Sequence, residues 1–161
     1  MSENALWITV RSRLTSFLEM ERVENRVAAG TPDIWWCARP PLDPASGWIE
    51  LKYLDRWPVR SHTPVVLPKL TLSQVLFAER AARCHVSSIM LLKVDGPDGG
   101  YGLWDAEAMR AVFEREMTRA DMMRRALAWF DAAIPFGAFL RALTCHAARE
   151  DGSPARESAL S

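Results

Sequence analysis

The chain has 161 residues, enough for one domain with a substantial core and little room for a second. Its 49% hydrophobic and 25% charged composition is that of a soluble globular protein, and 20 Lys+Arg balance 20 Asp+Glu, so a polyanionic partner has to be argued from a local basic patch. Three widely spaced cysteines exclude a disulfide framework and a zinc site, no apolar run approaches a membrane span, and the amphipathic N-terminus has no signal-peptide core; the expected setting is the cytoplasm.

Residues 3 to 19 place Leu6, Val10, Leu14 and Leu18 at helical spacing, with Trp7 and Phe17 beside them, and predict an opening helix. In ERVENRVAAG, Val23 and Val27 alternate with charged or amide residues up to Gly30, which predicts a half-exposed first strand. Residues 33 to 38 read as a second strand, PPLDPASG as a turn and residues 47 to 54 as a third strand. DRWPVRSHTPVVLPK reads as a long loop carrying Arg56, Arg60, His62 and Lys69 against Asp55. TLSQVLFAERAARC predicts a helix that starts near Thr71 or Ser73 and turns Leu72, Val75, Leu76 and Ala81 to one apolar face.

HVSSIMLLKV has the apolar density of a central strand, DGPDGG is a turn, and YGLWD a short strand beyond it. A helix from about Ala106 to Thr118 and two helical pieces, at 119–132 and 136–148, complete the expected elements. MMRRALAWF within the first piece reads as a packing or dimer helix. Cys37, Cys84 and Cys145 read as core residues, and the polar tail from Glu150 is expected to be disordered. This mixed order implies an α/β layer packing, with helices on the faces of a sheet.

Charged residues interrupt the two strands that look buried. Side chains two apart in a strand share a face, so Trp48, Glu50 and Lys52 project together while Ile49, Leu51 and Tyr53 point the other way. If the second and third strands pair, Asp33 comes near Glu50. Adjacent carboxylates raise one another's pKa, and a hard divalent cation, Mg²⁺ or Mn²⁺, removes the conflict. A lysine on the same face can hold an attacking water or shield developing negative charge. Together the three residue types fit hydrolysis of a phosphodiester. Each also has a plainer reading: Glu50 and Lys52 as a solvated strand face, Asp33 as a turn cap, Gln74 as a solvent-facing helix residue. Trp57, in the basic loop, is read as packing under that loop, with stacking on a base as the alternative.

TPD followed at a distance by ELK resembles the pattern of the PD-(D/E)XK nuclease superfamily. RVENRVAAGTPDIWW…GWIELKYL…LTLSQ is similar to small phage-type members akin to VRR-NUC and Holliday-junction-resolvase-like domains, with Gly30, Pro32, Asp33, Glu50, Lys52 and Gln74 on the corresponding positions. The resemblance implies a restriction-endonuclease-like α/β core, a mixed central sheet flanked by helices, at residues 1–116. A helical C-terminal extension at 117–149 and a tail at 150–161 would follow. It implies a metal-dependent, structure-selective DNA endonuclease acting in phage or prophage DNA processing, replication or recombination.

On this resemblance Asp33, Glu50 and the backbone carbonyl of Leu51 would hold Mg²⁺ or Mn²⁺, and Lys52 would position the water. Gln74 with Arg22 would orient the phosphate or the site. The family's additional acidic ligand would come from Glu3, Glu19 or Glu24, with Glu24 favoured. Arg22, Arg56, Arg60 and Lys69 are the candidate DNA contacts. A branched-DNA resolvase would need a homodimer, which the late helices could supply. The alternative is a catalytically silent DNA-binding or scaffold protein that keeps the fold.

Overall fold

In the computed structural model, residues 2–23, 30–42, 44–131 and 135–150 are described, except for the side chains of 136, 145 and 147–150. The Ser2 hydroxyl accepts from the Ala5 amide and opens α1 (Glu3–Leu14), whose Leu6, Trp7, Val10 and Leu14 form one buried stripe. The chain then turns over Thr15, Ser16 and Phe17 into β1 (Leu18–Arg22). The helix expected through residue 19 therefore ends at Leu14. Leu18 enters the same core from a strand, which is why the helical spacing runs past the true boundary. The strand expected at 21–30 begins earlier, at Leu18, and residues 24–29 lie outside the described residues.

β1, β2 (Ile34–Ala38) and β3 (Ser46–Leu54) form an antiparallel meander. α2 (Leu72–Arg83) crosses over to β4 (Ser87–Val94), which lies parallel to β3. β5 (Gly100–Trp104) and β6 (Ala128–Phe130) add antiparallel neighbours, so the sheet has six strands in chain order. α3 (Ala106–Phe113) and α4 (Arg119–Arg125) lie between β5 and β6, and α5 (Phe136–Glu150) follows. This is the mixed central sheet flanked by helices expected of a restriction-endonuclease-like core.

Strand parity sorts the side chains into two cores. Ile34, Trp36, Ile49, Leu51, Ile89 and Leu91 face α1 and α5, where Phe139 and Leu143 close the layer. Met90, Leu92, Val94 and Trp104 face α2, α3 and the loop that contributes Trp57, Val65, Leu67 and Leu70. Glu50 and Lys52 belong to the second face.

Several expectations in the second half are corrected. On α2 the buried positions are Val75 and Ala78, whereas Leu72 and Leu76 are exposed. α3 ends at Phe113, short of Thr118. MMRRALAWF is not one helix: Ala126 takes an extended conformation and 128–130 pair with β5. That pairing sets Trp129 beside Trp57 and Trp104, a gain that a local helical pattern does not reveal. Cys84 is exposed at the end of α2 and Cys37 is half-buried, so neither is a core residue; the Cys145 side chain lies outside the described residues. α5 runs through Glu150, and residues 151–161 lie outside the described residues.

Candidate active site

Asp33 sits one residue ahead of β2, beyond the last β2–β3 pair, Ile34 with Ile49. Where a strand carbonyl would have continued the ladder, the Asp33 carboxylate accepts the Leu51 amide instead, at 2.8 Å. That bond ties the Asp33 turn to the strand carrying Glu50. The preceding turn is fixed by Gly30, whose φ of +93° few other residues tolerate. A Cβ there would stand 2.5 Å from the Ser73 backbone carbonyl, so the turn packs directly on the first turn of α2.

The start of α2 aims the next group. Thr71 and Gln74 form a capping box: the Gln74 amide donates to Thr71 Oγ1, and the Thr71 amide donates to Gln74 Oε1 at 3.0 Å. With its oxygen engaged by backbone, the Gln74 side chain turns its NH₂ to Glu50 Oε1. Lys52 Nζ donates to the same oxygen and to the Leu51 carbonyl at 3.3 Å.

Glu50 is 1% exposed and Lys52 3%. Burial pushes the Glu50 carboxyl up from 4.5 to about 7; Lys52 opposes the rise, and the Asp33 and Glu3 charges reinforce it. Its second oxygen, Oε2, is buried with no hydrogen-bond partner. A half-satisfied buried carboxylate costs stability unless something else meets that oxygen.

Two of the three acidic candidates can be placed. Glu3, at the start of α1, is close enough for its charge to act on Glu50, and it accepts from Lys69 at 3.4 Å. Glu19 lies on β1 opposite Cys37, where it pairs with Arg39. Glu24, the favoured candidate, lies outside the described residues. Arg22 is in register with Ile34, on the face opposite Glu50, and donates to Asn4 at 2.7 Å. Arg56 and Arg60 are exposed on the loop after β3. Trp57 is buried beneath that loop; its indole donates to the Asp98 carbonyl at 3.0 Å, and the Arg119 guanidinium lies over its ring.

Among the described residues, no three of His, Cys, Asp and Glu gather into a ready-made ligand set. Mg²⁺ is commonly held by only one or two carboxylates, with water and substrate phosphate completing its shell. Asp33, Glu50 and the Leu51 carbonyl are hard oxygen donors, and Glu50 Oε2 is a buried acceptor lacking a partner. The residues present fit such an ion.

Sequence reasoning did not foresee the Asp33–Leu51 amide bond or the Lys69–Glu3 pair, and it held Glu3 only as one of three acidic candidates. Thr71-x-x-Gln74 was a readable capping-box pattern that would have oriented Gln74 in advance.

No protein-family model matches this chain, and no curated protein matches it by sequence. Among solved structures it is similar to Hjc, a Holliday junction resolvase from the archaeal hyperthermophile Archaeoglobus fulgidus. The match has 18% identity and a TM-score of 0.39, and covers 65% of this chain and 74% of the resolvase. A likeness of that degree leaves the functional reading to the site. No helix among the described residues is long and apolar enough to cross a membrane.

Proposed function

We propose that this protein is a Mg²⁺- or Mn²⁺-dependent DNA endonuclease that hydrolyses phosphodiester bonds in branched or otherwise structured DNA. The observation that carries the reading is Glu50: a carboxylate buried beside Asp33, held on one oxygen by Lys52 and Gln74, with the other oxygen unmet.

Asp33, Glu50 and the Leu51 carbonyl would hold the cation, with Glu3 as the additional acidic residue. When bound, it would neutralise phosphate charge and lower the pKa of a water. Lys52, fixed between Glu50 and the Leu51 carbonyl, would donate to the attacking water or to the phosphate oxygen on which charge grows. Gln74 donates to Glu50 Oε1, which would leave Oε2 as the oxygen for the cation. The exposed Arg56 and Arg60 are the proposed backbone contacts. Lys69, paired with Glu3 in the free protein, would join them once that pair opens. Arg22, held by Asn4, would act by steadying the start of α1 and hence Glu3. Cutting opposed strands of a four-way junction would further require two such sites in a two-fold dimer. A phage or prophage setting is carried by the sequence resemblance alone.

The test is a cleavage panel of linear duplex, single strand, flap, nicked circle and four-way junction DNA, each with Mg²⁺, Mn²⁺ or EDTA. Wild type is compared with Asp33→Ala. Cleavage that requires metal and disappears in a folded Asp33→Ala variant supports the reading. No cleavage of any substrate by a folded, DNA-binding wild type would replace it with the scaffold alternative.

A further inference from the structure

Three large aromatic side chains stand outside both hydrophobic cores: Trp35 on β2, Trp48 on β3 and Phe77 on α2. All three are half-buried, whereas Trp36, the chain neighbour of Trp35, is wholly buried. Trp35 and Trp48 are register partners on adjacent strands, and Phe77 meets the Trp48 ring edge-on, with centroids 5.4 Å apart. Neither indole nitrogen donates a hydrogen bond among the described residues. Indoles this large are ordinarily anchored by packing and by their N–H; these two are only half-buried, and among the described residues neither N–H is engaged.

Their position is specific. Trp48 shares the face of Glu50 and Lys52, about 7 Å along the strand from Glu50. Phe77 lies one helical turn after Gln74, so Trp48 and Phe77 continue from Glu50 and Gln74 toward the start of β3. Charge along this stretch is mixed: Glu21, opposite Trp35, is exposed, Glu19 is paired with Arg39, and exposed Arg80 follows Phe77 by one turn of α2. The aromatic rings themselves are neutral and offer a face to a base, not a contact to a phosphate. The exposed arginines, Arg56 and Arg60, lie past the other end of β3.

We infer that Trp35 and Trp48, edged by Phe77, form a stacking platform for an unpaired nucleobase next to the scissile phosphate. The preferred substrate is then DNA with unpaired nucleotides at the cleavage point. A continuous duplex keeps its bases stacked and must spend a few kcal/mol to release one. The inference rests on the nuclease reading for where the scissile bond lies; stacking itself needs no metal and no cleavage.

The experiment measures binding of the full chain, in EDTA, to a labelled duplex with a short single-stranded arm. The same DNA with abasic residues in the arm is run beside it. Stacking predicts that wild type binds the base-bearing arm about 10-fold more tightly per stacked base. Trp35→Leu and Trp48→Leu should erase that preference, and Trp35→Phe and Trp48→Phe should largely restore it. Melting curves of all four variants establish that they are folded. Equal affinity of wild type for both arms, or a base preference that survives the leucine substitutions, overturns the platform. Metal-dependent cleavage of the same DNA is scored separately, so loss of the nuclease reading and loss of the platform are distinguishable.

Discussion

Two ion pairs on the same side of the sheet differ in what they leave unfinished. Between α2 and α3, the Arg110 guanidinium meets both oxygens of Glu79, at 2.7 and 2.8 Å. That fork holds Glu79 below the usual carboxylate range, and the charge is at home there. On β3, Glu50 is buried far more deeply, spends one oxygen on both Lys52 and Gln74, and is pushed up to about 7. A pair that closes on itself tacks two helices together. The Glu50 pair leaves a buried oxygen without a hydrogen bond among the described residues, and on the proposed nuclease reading that oxygen is the one that would meet a cation.

The largest expected effect tests the unfinished pair directly. Lys52→Met removes the ammonium but keeps the volume of its stem, and should reduce cleavage by at least about 100-fold while DNA binding persists. Single-turnover rates beside a binding titration decide it. Cleavage at the wild-type rate would strip Lys52 of its proposed role.

The next effect is a pH dependence whose sign follows from burial. Below pH 4.5 the Glu50 carboxyl is protonated in both folded and unfolded chains; between 4.5 and about 7 the folded chain keeps a proton that the unfolded chain has released. The stabilisation is therefore full below pH 4.5 and is lost as pH rises toward 7. The loss is on the order of 3 kcal/mol. Urea unfolding at pH 5 and pH 8, wild type against Glu50→Gln, isolates the group: wild type should lose stability relative to the variant at the higher pH. Mg²⁺ at pH 8 should restore part of the loss in wild type only, since a cation binds the deprotonated carboxylate. Glu79 provides the contrast, because its lowered pKa contributes stability that is lost only in acid.

How much of this was legible in the sequence depended on how local each cause is. β2 and β3 could be bounded to within a residue because alternation and the flanking turns are local signals. Their pairing then followed, bringing Asp33 to the Glu50 strand. The end of α1 was hidden because Leu18 serves the same core from a strand, and β6 was hidden because only pairing with β5 defines it. That Glu3 comes near enough to act on Glu50 while Glu19 pairs with Arg39 was not readable, since it depends on how α1 docks on the sheet. Trp35 and Trp36 are identical letters in one strand, and only the register decides which is core and which shares the Glu50 face.

Gly30→Ala probes how tightly the Asp33 turn depends on α2. The substitution meets two penalties together, a left-handed φ and a Cβ driven against Ser73. A destabilisation of about 2 kcal/mol is expected, with cleavage reduced more than DNA binding because Asp33 and Gln74 are displaced relative to each other. Unchanged denaturant midpoint and unchanged rate would show that the turn can relax without disturbing the site.

The smallest effect comes from the finished pair, and its smallness is the point. Arg110→Ala breaks the fork to Glu79 and the weaker contact to Glu114 at 3.4 Å, so α2 and α3 lose a surface tie. Both groups are accessible enough for water to take over much of what is lost, and a drop in melting temperature of about 2–4 °C is expected. Cleavage should be unchanged, because Gln74 is aimed by its own capping box at the far end of α2 and not by the α3 contact. If Arg110→Ala instead lowers kcat while leaving substrate affinity intact, then α3 positions Gln74 through α2. Glu79 and the proposed catalytic carboxylate, Glu50, would in that case be two ends of one coupled element.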